Sequence, residues 1–406
     1  MEDTKRGIFY NTSVKLECVM AIFIGLGVCL NRLSTASAQT ALGLATALGL
    51  YLWWKNGWKL ELNSDAKKYM KVVGIWFLAS IISIIDVDNK TTVFKYFLND
   101  WIWRFMVFVL IVGFVRRKKY LERMLAAFIC VFSVDCILAC YQFFVLHWNR
   151  GRGFTGDYLD LTAIICMVLA MSAIILMDKR FEKDIRKFAA IGVIASIAGL
   201  FGCFGRGAFL VSAIVAPFYL YYYMLHNKKK AVVVLAVICL LGGVLVSSPR
   251  YVERLSTTFE LTDEDNVSNM GRIWVWRSSL DMFKDYPING VGLNNWDHYY
   301  KKGYKYKEEI QDLPHAHSNY MQLLAETGTI GFLGLLCFYG FSMIVPFRRW
   351  LKGRNPCDLI FFTVFLAGMT LFGVFQPTYR LSSVIRTLWF ILAVMIQLRH
   401  YIDDTV

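Results

Sequence analysis

The chain has 406 residues, of which 57% are apolar or aromatic and 18% are charged. Soluble domains carry about 25% charged residues, so this chain has too little charge to cover a water-facing surface. The high apolar content and the few glycines, prolines and cysteines also exclude a disordered, a collagen-like or a secreted disulfide-scaffold protein. The formal net charge of +14 lies mostly in short clusters between apolar stretches, so it indicates membrane topology rather than a nucleic-acid interface.

Apolar segments recur along the chain, and each of about twelve approaches the roughly 20 residues that a helix needs to cross a bilayer. They cover approximately residues 14–30, 36–54, 70–85, 98–115, 121–145, 158–177, 187–204, 207–225, 231–248, 329–346, 357–376 and 381–398. We therefore predict an all-α polytopic membrane protein. Residues 1–248 are expected to hold spans one to nine, 249–328 one large loop, and 329–406 spans ten to twelve. The first span is predicted to be an uncleaved helix, because further spans follow at once.

Clusters of lysine and arginine occupy every second loop, including residues 116–119 and 228–230. Under the positive-inside rule these loops are cytoplasmic, as are both termini, and the 249–328 loop faces the opposite side. Tryptophans near the predicted span ends, among them Trp101 and Trp350, are interpreted as interfacial anchors.

The long loop contains two candidate helices and little that predicts a separate core. One helix is predicted from Asn269 to a stop before Pro287, with apolar residues at helical spacing. A second is predicted from Ser318 to Thr327, ending at Gly328. We interpret the loop as a lid or a substrate platform against the membrane.

The informative polar residues are arginines and histidines predicted on the non-cytoplasmic side, where topology gives no reason for positive charge. They are Arg150, Arg152, Arg206, Arg272, Arg277, His315, His317 and Arg380. An arginine near membrane depth is costly unless it is paired, and its planar guanidinium suits phosphate. A structural ion pair is the alternative for Arg206, and a loop ion pair is the alternative for Arg150 and Arg152.

His317 lies at the predicted N-terminus of the second loop helix, whose positive end favours the neutral imidazole. It is therefore a candidate general base, with a surface or a hydrogen-bonded structural histidine as the alternative. No cysteine or further histidine completes a tetrahedral set with His315 and His317, so no metal is predicted. Glu326 is interpreted as a polar residue near a helix end in preference to a second acid or base.

Three groups of residues resemble the bacterial O-antigen ligase and polymerase superfamily, and the O-antigen ligases most closely. The specific part is His317-Ser318, nine intervening residues, and then Gly328-Thr329-Ile330-Gly331. Upstream, Gly271-Arg272-Ile273-Trp274 and the run from Asp285 to Gly292 are similar to the family's long periplasmic loop. Gly205-Arg206-Gly207-Ala208-Phe209 resembles its arginine motif. The resemblance covers roughly the second half of the chain.

The resemblance implies a membrane glycosyltransferase of the C-type fold, working at the periplasmic face of the bacterial inner membrane without a metal or other cofactor. A glycan on undecaprenyl pyrophosphate would pass to an acceptor hydroxyl with inversion. The family's catalytic histidine is similar in position to His317, and its essential arginines to Arg206 and Arg272. Arg150 and Arg152 would be additional donor contacts, with His315, Arg277 and Arg380 as accessory candidates.

The chemistry of the residues agrees with these roles. Arginines converging on a pyrophosphate leaving group would stabilise its growing negative charge, and a histidine would take the acceptor proton. Trp274, Trp276 and Trp296 are interpreted as interfacial anchors of the loop in preference to sugar-stacking residues.

Four functions compete. The leading one is an O-antigen ligase that uses a lipid A–core acceptor among membrane lipids. An O-antigen or capsule polymerase would use the same donor with a growing glycan as acceptor. Protein-glycosylating relatives tend to carry an added C-terminal region. A lipid-linked glycan transporter should show internal repeats or charges near mid-membrane, which this sequence does not display.

Overall fold

The computed structural model describes residues 14–85, 87, 89–154, 157–256, 267–309 and 312–402. Over these residues the chain is helical and contains no strand. The helices are α1 (Val14–Cys29), α2 (Thr35–Lys55), α3 (Ser64–Ile81), α4 (Lys90–Tyr96), α5 (Trp103–Phe114), α6 (Lys118–Phe144), α7 (Tyr158–Met177), α8 (Lys183–Cys203), α9 (Arg206–His226), α10 (Lys228–Ser247), α11 (Pro249–Ser256), α12 (Val267–Asp285), α13 (Trp296–Tyr299), α14 (Asn319–Gly353), α15 (Pro356–Phe365) and α16 (Ser382–Leu398). Short 3₁₀ and π-helical turns extend several of them.

Every one of the twelve predicted spans coincides with a helix. Among the described residues, nine helical segments are long and apolar enough to cross a membrane. They are Val14–Arg32, Lys90–Phe114, Lys118–Phe144, Tyr158–Met177, Lys183–Cys203, Arg206–His226, Asn319–Gly353, Pro356–Val374 and Ser382–Tyr401. The other three predicted spans correspond to α2 and α3, which carry more polar residues, and to α10, some of whose side chains lie outside the described set. The all-helical, multi-pass class is confirmed.

Three helices form the centre of the bundle, and one of them, α15, is buried over its whole length. In α7 every residue from Leu161 to Ile175 is buried, and in α16 every residue from Ser383 to Leu398. A helix that is apolar all round belongs inside a bundle. Trp101 and Trp350 are also buried, with 4% and 1% of their surface exposed. Their interpretation as interfacial anchors is therefore wrong, because each ring packs against neighbouring aromatic side chains.

Contacts between distant spans define the two ends of the bundle. At one end, here called the site end, Arg104 donates to the carbonyl of Arg380 at 2.6 Å and Arg386 donates to Asn31 at 2.8 Å. At the opposite end, Arg349 pairs with Asp65 at 2.7 Å. Because successive spans alternate in direction, the lysine and arginine clusters lie at the opposite end, away from the 267–318 segment. The compartment that each end faces stays a prediction.

A sharp kink at Gly328 interrupts α14. Gly328 has φ of +57°, and a Cβ there would lie 2.4 Å from the carbonyl oxygen of Ile288. At the kink, hydrogen bonds to the segment 287–292 replace two hydrogen bonds within the helix. The N–H groups of Thr329 and Ile330 donate to residues 287 and 288, while residues 291 and 292 donate to the carbonyls of residues 325 and 326. This exchange holds the long loop directly against the start of α14.

The long loop has a small core, which the sequence did not predict. Its buried members are Val275, Met282, Val291, Trp296, Tyr300, Ala316 and Ala325. The last of these belongs to α14, so the loop closes its apolar cluster on the bundle. The lysines at positions 301, 302, 305 and 307 of the loop are exposed, and Lys301 and Lys305 pair with Asp297 and Asp312, respectively.

Candidate active site

His317 lies immediately before Ser318, the N-cap of α14. Its backbone has φ of +47°, a left-handed conformation that costs a residue with a Cβ about 1 kcal/mol or more. Two contacts hold it there. The N–H of Ala316 donates to the side chain of Gln322 at 2.7 Å, and the N–H of His317 donates to Nδ1 of His315 at 3.3 Å. Backbone strain maintained in this way is typical of functional sites.

The side chain of Gln376 sets the proton distribution on the His317 ring. Its Oε1 lies 2.7 Å from Nδ1 of His317. An amide oxygen only accepts, so Nδ1 carries the proton and Nε2 keeps its lone pair. Gln376 is 2% exposed and is therefore a fixed partner. Sequence reasoning left the orienting partner of His317 open; the polar pair Gln376-Pro377 between two apolar spans is the signal that could have indicated it.

Both histidines are neutral at pH 7. Burial lowers the pKa of His317 to about 4, with the positive charge of Arg272 acting in the same direction and the hydrogen bond to Gln376 opposing it. Burial also lowers the pKa of His315 to about 3, helped by His317 and Arg380. Neutrality was predicted from the helix N-terminus, whereas the largest cause in the structure is desolvation. His317 can therefore accept a proton through Nε2.

Arg206 is the first residue of α9. The turn before it is tight because α8 ends at Cys203, Phe204 adopts φ of +54°, and Gly205 follows. The guanidinium of Arg206 donates to Oδ1 of Asn269 on α12 at 3.3 Å. The turn between α8 and α9 is thereby connected to the helix that carries Arg272.

Arg272 projects from α12 into the same region. It is half-buried, and its Nε is buried without a hydrogen-bond partner among the residues that the structure describes. Burial lowers the pKa of its guanidinium, and the nearby charges of Arg206 and Arg150 lower it further, while Tyr158 opposes them. The positive charges of Arg150, Arg206 and Arg272 therefore lie near one another, and that of Arg272 also lies near His317. Such a group repels itself until an anion enters, and guanidinium groups bind phosphate oxygens in pairs.

Arg150 and Arg152 differ in position, although only two residues separate them. The guanidinium of Arg150 lies over the ring of Tyr158 at 4.3 Å and is half-buried. The side chain of Arg152 is exposed, and its carbonyl oxygen accepts a hydrogen bond from Arg32 at 2.9 Å. Of the two, the structure places Arg150 with Arg206 and Arg272.

The remaining candidates surround the site or lie away from it. Arg277 is exposed and covers the ring of Trp274 at 4.9 Å, on the outer face of the loop. Trp276 donates to the carbonyl of Ala316 at 2.9 Å, next to His317. Trp296 is fully buried and donates to Ser279 at 2.8 Å, so it is a core residue of the loop and neither stacks on a sugar nor anchors at an interface.

Glu326 and Arg380 form a buried support behind His317. Glu326 is fully buried and lies 3.5 Å from Arg380. It also accepts hydrogen bonds from Gln322 at 2.7 Å and Tyr379 at 3.1 Å. Gln322 in turn accepts a hydrogen bond from the N–H of Ala316. Through Gln322, Glu326 therefore stabilises the backbone conformation next to His317. Among the described residues, no group of three or more histidine, cysteine, aspartate or glutamate side chains is arranged to hold a metal ion.

Comparison with known proteins matches one part of the chain to a known family. Residues 191–336 match the family model described as O-antigen ligase, and this range contains Arg206, Arg272 and His317. The chain is also 22% identical over 340 residues to an uncharacterised protein of Haemophilus influenzae, covering 78% of this chain and 80% of that protein. The predicted resemblance is confirmed for residues 191–336, the part of this multi-pass membrane protein that is similar to the O-antigen ligase family.

Proposed function

We propose that this protein is an O-antigen ligase, which transfers a glycan from undecaprenyl pyrophosphate to a hydroxyl group of lipid A–core at the periplasmic face of the bacterial inner membrane. The observation that carries the proposal is the cluster of positive charge formed by Arg150, Arg206 and Arg272, with Arg272 near a neutral His317. That combination suits a reaction in which a pyrophosphate leaves and a hydroxyl group attacks.

The arginines would stabilise the leaving group. The bond between the anomeric carbon and the phosphate oxygen breaks, so negative charge grows on the pyrophosphate in the transition state. Within the described part of the chain the Nε–H of Arg272 has no partner, and a phosphate oxygen would supply one. Binding would also relieve the mutual repulsion of the three guanidinium groups. Charge stabilisation of this kind, from donors fixed in advance, is commonly the largest contribution to catalysis.

His317 would act as the general base. With the proton on Nδ1 held towards Gln376, Nε2 accepts the proton of the acceptor hydroxyl as its oxygen bonds to the anomeric carbon. Direct attack opposite the leaving pyrophosphate inverts the anomeric configuration. A positioned base of this type contributes about 10²–10⁴-fold to the rate.

The proposal is tested by lipopolysaccharide gels from cells that lack the gene, complemented with wild type or with His317→Ala. We expect the null strain and the mutant to show bare core, while polymer accumulates on the undecaprenyl carrier. His298→Ala is the matched control, because His298 is exposed on α13 of the same loop.

Two outcomes would contradict the assignment. Core capped by a single repeat unit in the null strain would identify a polymerase instead, with the same donor and a glycan acceptor. A full ladder from His317→Ala, at wild-type expression, would remove the histidine from the mechanism and favour a transporter.

A further inference from the structure

The segment that carries Arg150 is held against the bundle by a set of side chains that no catalytic role requires. We propose that Gln142, Asp135 and Arg32, here called the loop clamp, position Arg150 for contact with the pyrophosphate of the donor. Gln142, Asp135 and Arg32 are thus positioning residues, and the inference rests on the function proposed above.

Gln142 supports the backbone on both sides of Arg150. Its carbonyl oxygen accepts from the N–H of Trp148 at 3.0 Å. Its side-chain oxygen accepts from the N–H groups of Arg152 and Gly153 at 2.7 and 2.9 Å, and its amide nitrogen donates to the carbonyl of Gly153 at 2.9 Å. One buried glutamine, with 7% of its surface exposed, thus provides four hydrogen bonds to one short segment.

Asp135 and Arg32 also hold the backbone of the same segment through hydrogen bonds. Asp135 lies two helical turns before Gln142 on α6 and accepts from the N–H of Phe154 at 2.7 Å. Arg32 forms a buried ion pair with Asp135 and donates to the carbonyl of Arg152 at 2.9 Å. Separating a buried ion pair leaves an uncompensated charge, which is costly. The pair therefore stays together, and its hydrogen bonds to the segment are kept in place.

Two glycines allow this close approach. A Cβ at position 151 would lie 2.1 Å from the carbonyl oxygen of Ala139, and one at position 153 would lie 1.9 Å from the carboxylate of Asp135. Gly153 also has φ of +68°. The sequence Gly151-Arg152-Gly153 is therefore what lets the chain lie directly on α6.

The clamped segment is also joined to the turn that carries Arg206. The N–H of Gly151 donates to the carbonyl of Gly202 at 2.9 Å, four residues before Arg206. The two arginines thus leave the bundle from backbone segments that are hydrogen-bonded to each other. A shift of about 1 Å in a catalytic group can cost about 10²-fold in rate. A connection that fixes the position of one arginine relative to the other would prevent such a shift.

The inference is tested by isothermal titration of the purified full-length protein in detergent with inorganic pyrophosphate. Gln142→Met removes the three side-chain hydrogen bonds at similar volume, and we expect it to weaken pyrophosphate binding about fivefold. Arg150→Ala is expected to weaken it about tenfold, as for loss of one hydrogen bond to a charged group. The double variant should bind no more weakly than Arg150→Ala alone, because Gln142 acts through Arg150.

A matched control is Gln397→Met, since Gln397 is equally buried at 7% and donates to three backbone carbonyls at the opposite end of the bundle. It should bind pyrophosphate as the wild type does. Gln142→Glu keeps acceptors for the N–H groups of Arg152 and Gly153, so it should recover most of the affinity. If Gln142→Met is poorly folded, this second variant still tests the clamp, because Glu cannot donate to the carbonyl of Gly153 and a modest loss of affinity is expected.

The outcomes separate the clamp from the proposed function. If Arg206→Ala weakens pyrophosphate binding but both Gln142 variants bind normally, the clamp is wrong and the anion site stands. An additional loss in the double variant beyond Arg150→Ala would also contradict it, because Gln142 would then act elsewhere. If Arg206→Ala and Arg272→Ala both bind as the wild type does, the anion site is wrong and the clamp with it.

Discussion

Two half-buried arginines at opposite ends of the bundle have opposite electrostatic environments. Arg180 lies in the turn between α7 and α8, where it pairs with Asp178 at 2.7 Å. Burial alone would lower its pKa, but hydrogen bonds and charge from Asp178 raise it. Arg272 at the site end has a lowered pKa, from burial and from Arg206 and Arg150. The first arginine is stabilised by a carboxylate inside the protein, whereas the second lies near two further positive charges and, among the described residues, its Nε has no hydrogen-bond partner.

The largest expected effect is a loss of activity on substitution of Arg272, whereas substitution of Arg180 is expected to reduce stability. Arg272→Ala should lower kcat/KM for glycan transfer by about 10²–10³-fold, the range for loss of one preorganised donor to a developing anion. Its thermal stability should stay near that of the wild type, because removing one of three adjacent positive charges relieves repulsion. Transfer in reconstituted vesicles and thermal unfolding in detergent measure the two effects.

Two control variants define this comparison. Arg180→Ala should reduce stability while leaving transfer near the wild-type rate, since Asp178 is left buried without its partner. Arg277→Ala, on the same helix as Arg272 but exposed over Trp274, should change neither quantity much. A loss of transfer in Arg277→Ala equal to that in Arg272→Ala would show that α12 tolerates no arginine substitution and that the electrostatic contrast has no bearing on catalysis.

The second comparison concerns His317 and the residue that orients it. Because a neutral imidazole is required and the pKa of His317 is about 4, transfer should be maintained as the pH falls through 6.5 and be lost only near pH 4. The folded-state pKa lies below the ordinary value of 6.5, so the unfolded chain binds more protons between these values. Stability conferred by the neutral ring is therefore complete above pH 6.5 and declines towards pH 4.

Gln376→Glu should move the acidic limit of activity upwards. A carboxylate facing Nδ1 stabilises the imidazolium and raises the pKa of His317. Gln376→Leu should lower kcat about tenfold without that upward shift, because the ring loses the partner that fixes its tautomer. Rate profiles between pH 4 and 8 distinguish the two variants. Coincident profiles for wild type and Gln376→Glu would mean that Gln376 does not control the proton on His317.

The sequence predicted those features that depend on local pattern. The helices could be located because a backbone in lipid must satisfy its own hydrogen bonds, which requires long apolar helices. Among the described residues, nine of the helical segments are long and apolar enough to cross a membrane. His317, Arg206 and Arg272 were predicted as site residues because each lies in a short motif that resembles one of the O-antigen ligase family. The break at Gly328 was predicted because glycine commonly follows the end of a helix, although the helix continues beyond it to form one kinked element.

The features that were missed depend on tertiary contact. Gln376 lies 59 residues from His317 along the chain, and no local pattern connects them. The burial of Trp296 follows from the small core of the loop, whose members are scattered from Val275 to Ala325. Three-dimensional packing also determined which of Arg150 and Arg152 faces the other arginines, because both lie in one glycine-rich segment and their residue types are identical.

The smallest expected effect is that of substituting Arg152, which is compared with the substitution of Arg150. This comparison tests whether the position of an arginine, and not only its charge, determines its effect on the donor. Arg152 contributes its backbone to the structure, through the N–H bonded to Gln142 and the carbonyl bonded to Arg32, while its side chain is exposed. Arg152→Ala keeps both backbone groups, so it should change the donor KM by less than about twofold, as for a solvent-screened surface charge. Arg150→Ala should raise the donor KM about tenfold with little change in stability. Steady-state transfer assays at low and high salt measure both variants side by side. Equal effects from the two substitutions would show that general positive charge near the membrane surface attracts the donor, and that the position of Arg150 beside Tyr158 gives it no special role.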